Sequence, residues 1–177
     1  IVAPRNASDG DDLAELASQG FGAVMRRSQG ECPDTKTDVY IADTIGEMGL
    51  WYRLAPVSFV GHSFGAGDTY LEGKNPFEAA ALGSAILHGP SVFYFSESYE
   101  ALGQAGGSKE VENAKALFDA VLATFNDAER KRLTAGAAKV IAERRAVLDD
   151  TWNELRDMLA GCCGCGLIVC PRLRPAE

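Results

Sequence analysis

Short runs of β-branched and aromatic residues alternate with helix-like stretches along this chain, and that alternation restricts its fold more than any other feature. Residues 39–42, Val57–Val60 and Ala85–His88 read as strands. Each is followed by a turn containing Asp, Gly or Pro and then by a segment of helical character. Strands joined by helical crossovers run parallel, so the repetition predicts an α/β fold, a Rossmann-like parallel sheet with helices on both faces. Weaker strand signals lie at residues 1–3, stopped by Pro4, at 21–25 and at 108–111. Helices are expected over 10–19 behind Ser8 or Asp9, and over 45–54, 77–82 and 96–102. Another is expected from Asn113 to Phe125, where Ala116, Leu117, Ala120 and Val121 recur at helical spacing. Asp127 is expected to cap a long helix over 128–145, with 149–159 continuing or restarting it. There is no internal repeat.

Composition narrows the function. The chain has 177 residues, about one domain, and 46% are hydrophobic, enough apolar material to form a core. The net charge of −8 argues against nucleic-acid binding, which relies on a basic footprint. No run approaches the roughly 18 apolar residues of a membrane helix. The opening Ile1-Val2-Ala3-Pro4-Arg5-Asn6 has neither the basic nor the apolar region of a signal peptide and reads like a strand already under way. An odd cysteine count, five, without a secretion signal points to a reducing compartment.

In open parallel sheets the ligand site lies beyond the carboxyl ends of the strands. Residues 60–78 have that form. A strand leads into Gly61, Gly65, Gly67 and Gly73, and Asn75-Pro76 opens a helix. Backbone can approach a ligand closely at glycine, and the first N–H groups of a helix suit a phosphate. Lys74 adds a cation, and Glu78 stands one turn in, where it can accept hydrogen bonds from sugar hydroxyls. Alternatively the glycines serve only turns and Glu78 is a favourable first-turn acid. The pattern matches neither GxxxxGK[ST] nor GxGxxG. Asp43-Thr44-Ile45-Gly46-Glu47 also joins a strand to a helix. Gly46 can bring backbone N–H groups to the same edge, whereas Glu47 either joins it or closes a capping box with Thr44.

These residues resemble a family. DTIGEMGLWYRLAPVSFVGHSF, then GKNPFEAAALG, then ILHGP, are similar in order and character to the C-terminal half of the Kdo transferases. Those enzymes move 3-deoxy-D-manno-octulosonic acid (Kdo) from CMP-Kdo to a lipid A precursor in bacterial lipopolysaccharide assembly. The likeness covers about residues 1–160 and implies the C-terminal domain of a glycosyltransferase B fold, incomplete at its N-terminus. It implies that Arg5, in a match to the family's strand-end APRH, is a cation on the phosphate side, with Asn6 where the family has His. DTIGE aligns directly, placing Gly46 and Glu47 near the nucleotide. FVGHSF matches the family's FVGGS, so Ser63 carries over and His62 replaces a glycine. GKNPFE stands for GGHNPLE: Asn75, Pro76 and Glu78 match, and Lys74 occupies a variable position. The loop and helix would hold the CMP phosphate and ribose.

The same resemblance implies CMP-Kdo and a lipid A precursor as partners, an N-terminal acceptor-binding domain, and a full-length protein at the cytoplasmic face of the inner membrane, with no cofactor and no metal. The family's general base, a Glu, lies in that other half, so the 177 residues alone are expected to lack transferase activity. Other readings are a non-catalytic remnant and a glycosyltransferase B domain for a UDP-sugar. His62 either bonds a ligand or is an ordinary loop residue, and His88 precedes Gly89-Pro90 at a strand end. Two histidines without an acidic cluster make a poor zinc site. The tail 161–177, CCGCGLIVCPRLRPAE from Cys162 on, falls outside the likeness. Its C-C-x-C-x4-C spacing is not that of paired CxxC motifs, and an unstructured end is expected.

Overall fold

The computed structural model describes residues 1–65 and 71–162. A 3-10 turn at Ala7–Asp9 leads into α1 (Gly10–Ser18), β1 (Val24–Arg26), β2 (Val39–Ile41), α2 (Met48–Leu54), β3 (Val57–Val60), α3 (Phe77–Ala81) and β4 (Ala85–His88). A second 3-10 turn, Phe93–Phe95, precedes α4 (Ser96–Gln104), β5 (Ser108–Glu110), α5 (Ala114–Thr124) and α6 (Asp127–Cys162). Every strand pair is parallel; helices α3 and α4 cross over between β3, β4 and β5, whereas residues 27–38 join β1 to β2 without a helix. The strands form two hydrogen-bonded groups, β1-β2 and β3-β4-β5. The expected parallel α/β architecture is present, without a ladder between β2 and β3 among the described residues. Residues 1–3 contribute less than a strand: Val2 alone bridges Ile41, its N–H bonding Tyr40 O at 2.8 Å and its carbonyl accepting from Ala42 N at 2.8 Å.

The core is built on β4, whose four residues are all buried. Successive side chains point to opposite faces. Ile86 packs with Val60, Ala79, Ala80, Tyr99, Leu102, Ala137 and Val140, the side covered by α3, α4 and α6. Leu87 packs with Val111 and Ala120 against Phe59 and Leu117, the side covered by α5. Helices therefore lie on both faces of the three-stranded sheet. A fully buried residue such as Ile86 or Leu87 contributes about 1.5–3 kcal/mol.

Several helix ends differ from the sequence pattern. Gly46 has φ 90°, a left-handed conformation outside a helix, so α2 starts at Met48 rather than at 45. Neither Ser8 nor Asp9 caps α1 through its side chain, because the chain enters α1 from the 3-10 turn. At α6, Asn126 takes the capping role expected of Asp127, its Oδ1 accepting from Ala128 N at 2.9 Å. The segments 128–145 and 149–159 form one helix about 54 Å long at 1.5 Å per residue. Its first half is packed through Leu133, Ala137 and Val140, whereas Val147, Leu148, Trp152, Leu155 and Met158 are exposed along its second half. No described helix is long and apolar enough to cross a membrane. Cys163, Cys165 and Cys170 of the tail, and the side chain of Cys162, lie outside the described residues.

Backbone meets backbone where α6 crosses the turn before β5. A Cβ on Gly136 would lie 2.4 Å from Ala105 O and 2.6 Å from Gly107 N. Alanine favours a helix interior over glycine by about 1 kcal/mol. Gly136→Ala is nevertheless expected to destabilise the protein by about 1–3 kcal/mol in urea unfolding, because overpacking outweighs propensity. A stabilised variant would mean that the crossing has room to spare.

Candidate functional site

Two loops at the carboxyl edge of the three-stranded sheet are tied together by Ser63. This residue is fully buried. Its hydroxyl donates to Val60 O at 2.7 Å and accepts from Gly89 N at 2.9 Å, and its carbonyl accepts from Ser91 N at 2.9 Å. Gly89 is needed there, since a Cβ would sit 2.2 Å from Ser63 O. Further along, Gly73 N–H bonds His62 O at 3.1 Å, Tyr94 N–H bonds Glu72 O at 3.2 Å, and the Tyr99 hydroxyl donates to Lys74 O at 2.8 Å. The segment following β3 is thus anchored to the segment following β4 at both of its ends. Ser63 holds the loops together, and its one donor proton is already committed.

The anchored loop delivers Lys74, Asn75, Pro76 and Glu78. Pro76 is buried and Lys74 half-buried, while Asn75 and Glu78 are exposed. Asn75 Oδ1 accepts from Phe77 N at 3.0 Å, and the first intrahelical acceptor is Pro76 O, which takes Ala80 N–H at 3.0 Å. The helix start therefore offers the N–H group of exposed Glu78, because Asn75 has taken that of Phe77 and Ala79 is fully buried. Phe77 lies under the Arg144 guanidinium at 4.2 Å from its ring centre, so α6 braces this end of α3.

The turn after β2 is held by two Arg–carboxylate forks that the sequence reading did not identify. Arg26 donates from Nε and one terminal nitrogen to Asp43 Oδ2, at 2.9 and 2.7 Å, and its other terminal nitrogen reaches Asp11. Ser28 adds its N–H to Asp43 Oδ1 at 2.8 Å and its hydroxyl to Oδ2 at 2.7 Å. Arg27 grips both oxygens of Glu47, Nε to Oε2 at 3.1 Å and a terminal nitrogen to Oε1 at 2.8 Å, and the Thr44 hydroxyl also bonds Glu47. The capping box expected of Thr44 and Glu47 does not form. Glu47 itself occupies the N-cap position, without a side-chain cap bond, and its carboxylate faces Arg27. Spacing could not reveal these pairs. The parallel register sets Arg26 opposite Ile41, and Asp43 follows two residues later on the same side of its strand.

Electrostatics follow from these partners. Burial opposes ionisation of Asp43, but hydrogen bonds from Ser28 and Arg26 outweigh it and hold the carboxyl at about 2. Glu47 is likewise held at about 2, chiefly by Arg27 and then by Thr44. His88 is buried, with Nδ1 2.8 Å from Gly89 O and its ring against Tyr99, and burial lowers its pKa below 6.5. Arg5 is exposed. It follows the Val2 bridge as Gly46 follows β2, so both stand beyond carboxyl ends of parallel neighbours. The second turn adjoins the first loop through α2, where Tyr52 packs on the same cluster as Ala79 and Ala80 of α3. No group of three or more potential metal ligands occurs among the described residues.

No protein-family model matches the chain. The 3-deoxy-D-manno-octulosonic acid transferase of Haemophilus influenzae is 31% identical over 161 residues, which cover 90% of this chain and 37% of that protein. A probable mitochondrial 3-deoxy-D-manno-octulosonic acid transferase of Arabidopsis thaliana is 38% identical over 106 residues, 59% of this chain and 23% of the relative. The chain thus spans little more than a third of the curated relatives' length, or less. Among solved structures, the C-terminal CMP-Kdo binding domain of WaaA from Acinetobacter baumannii superposes with a TM-score of 0.73 at 30% identity, covering 78% of this chain and 70% of that one.

Two outcomes test the site's construction. His62 has φ 58°, in the left-handed region where an L side chain costs about 1–2 kcal/mol and which glycine enters freely. Allowing about 0.5–1 kcal/mol for the greater chain entropy of glycine, His62→Gly is expected to raise stability by roughly 0.5–1 kcal/mol in urea unfolding; a loss would contradict the strain. The unfolding free energy is also expected to fall in two stages on acidification. Below pH 6.5 the unfolded chain takes up a proton that buried His88 resists. Between about pH 4 and 2, Asp43 and Glu47 lose the paired carboxylates that stabilise the folded state. An imidazole of His88 that titrates by NMR at or above 6.5 would contradict the first stage.

Proposed function

Since the chain belongs to the family of 3-deoxy-D-manno-octulosonic acid transferases, we propose that it is the donor-nucleotide-binding half of a glycosyltransferase that moves Kdo from CMP-Kdo to a hydroxyl of a lipid A precursor. The observation that carries this reading is the anchored loop at the carboxyl edge. Ser63 and Gly89 hold it from one side, and it presents Lys74, Asn75 and Glu78 in one short stretch. Such a stretch offers a cation and backbone N–H groups to a phosphate, and a carboxylate to sugar hydroxyls. Arg5 supplies an exposed cation beyond the Val2 bridge, at the carboxyl end of the two-stranded group.

The chemistry asked of these residues is modest. As the acceptor oxygen bonds to the anomeric carbon of Kdo, the bond from that carbon to the CMP phosphate oxygen breaks. Negative charge gathers on the departing phosphate. Fixed cations and backbone N–H groups stabilise that charge more than they stabilise the bound donor, which is how electrostatics lowers a barrier. Arg5 and Lys74 have this role, Glu78 accepts from the ribose hydroxyls, and Gly46 brings backbone close to the nucleotide. Acceptor binding and the general base belong to another lobe of the transferase. The setting is lipopolysaccharide assembly at the cytoplasmic face of a bacterial inner membrane, with no cofactor.

Calorimetric titration of the 177-residue chain tests the reading. Binding of CMP in preference to UMP and UDP is expected, weakened about tenfold or more in Glu78→Ala, as when a charged hydrogen-bond acceptor is removed. Preference for UDP would replace the donor, and absence of binding by all three would overturn the nucleotide site.

A further inference from the structure

The two forks beside the second turn imply a division of labour within the proposed nucleotide site. Both oxygens of Glu47 are occupied, Oε1 by Arg27 and Oε2 by Arg27 and Thr44. A carboxylate so engaged has little left to offer a sugar hydroxyl. Glu78, by contrast, is exposed and forms no salt bridge among the described residues. Between Thr44 and Glu47 the chain passes through Gly46 at φ 90°, and an exposed turn of that shape is fixed only by what grips its ends. Asp43 is gripped by Arg26 and Ser28 at one end, and Glu47 by Arg27 at the other.

Resting on the donor-site reading above, we propose that Arg27 is a positioning residue of the nucleotide site and that Glu47 is its anchor rather than a ligand for the donor. The planar guanidinium fork fixes two bonds in one plane, which a single ammonium cannot reproduce. Arg27 thereby holds the turn that carries Gly46 against β1, and the backbone of Gly46 meets the nucleotide already shaped. Preorganisation of this kind appears as affinity, because a loose turn must be ordered when the ligand binds.

The test is a double-substitution cycle read by CMP titration of the full chain at a temperature well below the unfolding midpoint of every variant. Arg27→Gln and Glu47→Gln are each expected to weaken CMP binding about tenfold, and the pair together no more than either alone, since both remove one interaction. Arg27→Gln combined with Glu78→Ala is expected to multiply the two losses. Arg27→Lys, which keeps the charge and loses the fork, is expected to recover part of the affinity but not all of it. The amide signal of Gly46 is expected to shift and to exchange faster with solvent in Arg27→Gln without CMP present. If the wild-type chain binds no CMP, the donor-site reading falls and this proposal with it. If it binds CMP and Arg27→Gln binds equally well, or the Arg27 and Glu47 losses multiply, the proposal alone is overturned.

Discussion

The geometry of the carboxyl edge depends on one buried hydroxyl. Ser63 Oγ donates to Val60 O, its own preceding strand, and accepts the N–H of Gly89, the residue after β4. In a site with no solvent exposure, each of those backbone groups would otherwise be left unpaired at a cost of about 1–3 kcal/mol. A single side chain thus satisfies both and fixes the distance between the two loops. Gly73 is in turn bonded back to His62, next to the end of β3. Lys74 and Glu78 reach the edge only because the loop's departure and return are both held. The short α3 would not supply that order by itself, since five residues are too few for an independent helix.

Much of this was legible in the sequence because it depends on local pattern. Val57–Val60 and Ala85–His88 are strands with the bounds that their residues suggest, and each runs into a glycine that ends it. Features set by contact across the chain were not legible. Residues 1–3 have strand composition, yet only Val2 forms a bridge, since pairing depends on a neighbour and not on propensity. Residues 45–47 have helical composition, but Gly46 turns left-handed and delays α2 by one turn. The interval between 145 and 149 looks like a break in the helical pattern. The helix passes through it because nothing there, neither proline nor glycine, forces an end.

The same distinction applies to the site. Motif order pointed to the loop around Asn75-Pro76 and to the Asp43–Glu47 turn, but a motif names residues and not their partners. Arg26 and Arg27 went unremarked because their acids lie 17 and 20 residues away, across a strand pairing whose register the sequence does not print. Ser63, which the resemblance sets toward a ligand, has its donor spent on Val60 O. His62 sits at φ 58°, a conformation that glycine enters freely and that spacing does not reveal.

The pairing pattern also resolves an apparent conflict between an acidic chain and an anionic ligand. At a net charge of −8, a phosphate would meet repulsion at most faces of this protein. At the turn after β2 the carboxylates of Asp43 and Glu47 are neutralised in place by Arg26 and Arg27. Those two arginines are spent in doing so and cannot also serve the ligand. Among the described residues, Arg5 and Lys74 form no salt bridge. The forks silence the two acids of that turn, while Glu78 of the anchored loop stays an exposed carboxylate without a salt bridge among the described residues. A substitution in either fork would therefore act on the ligand through the turn, whose shape both partners of the fork maintain.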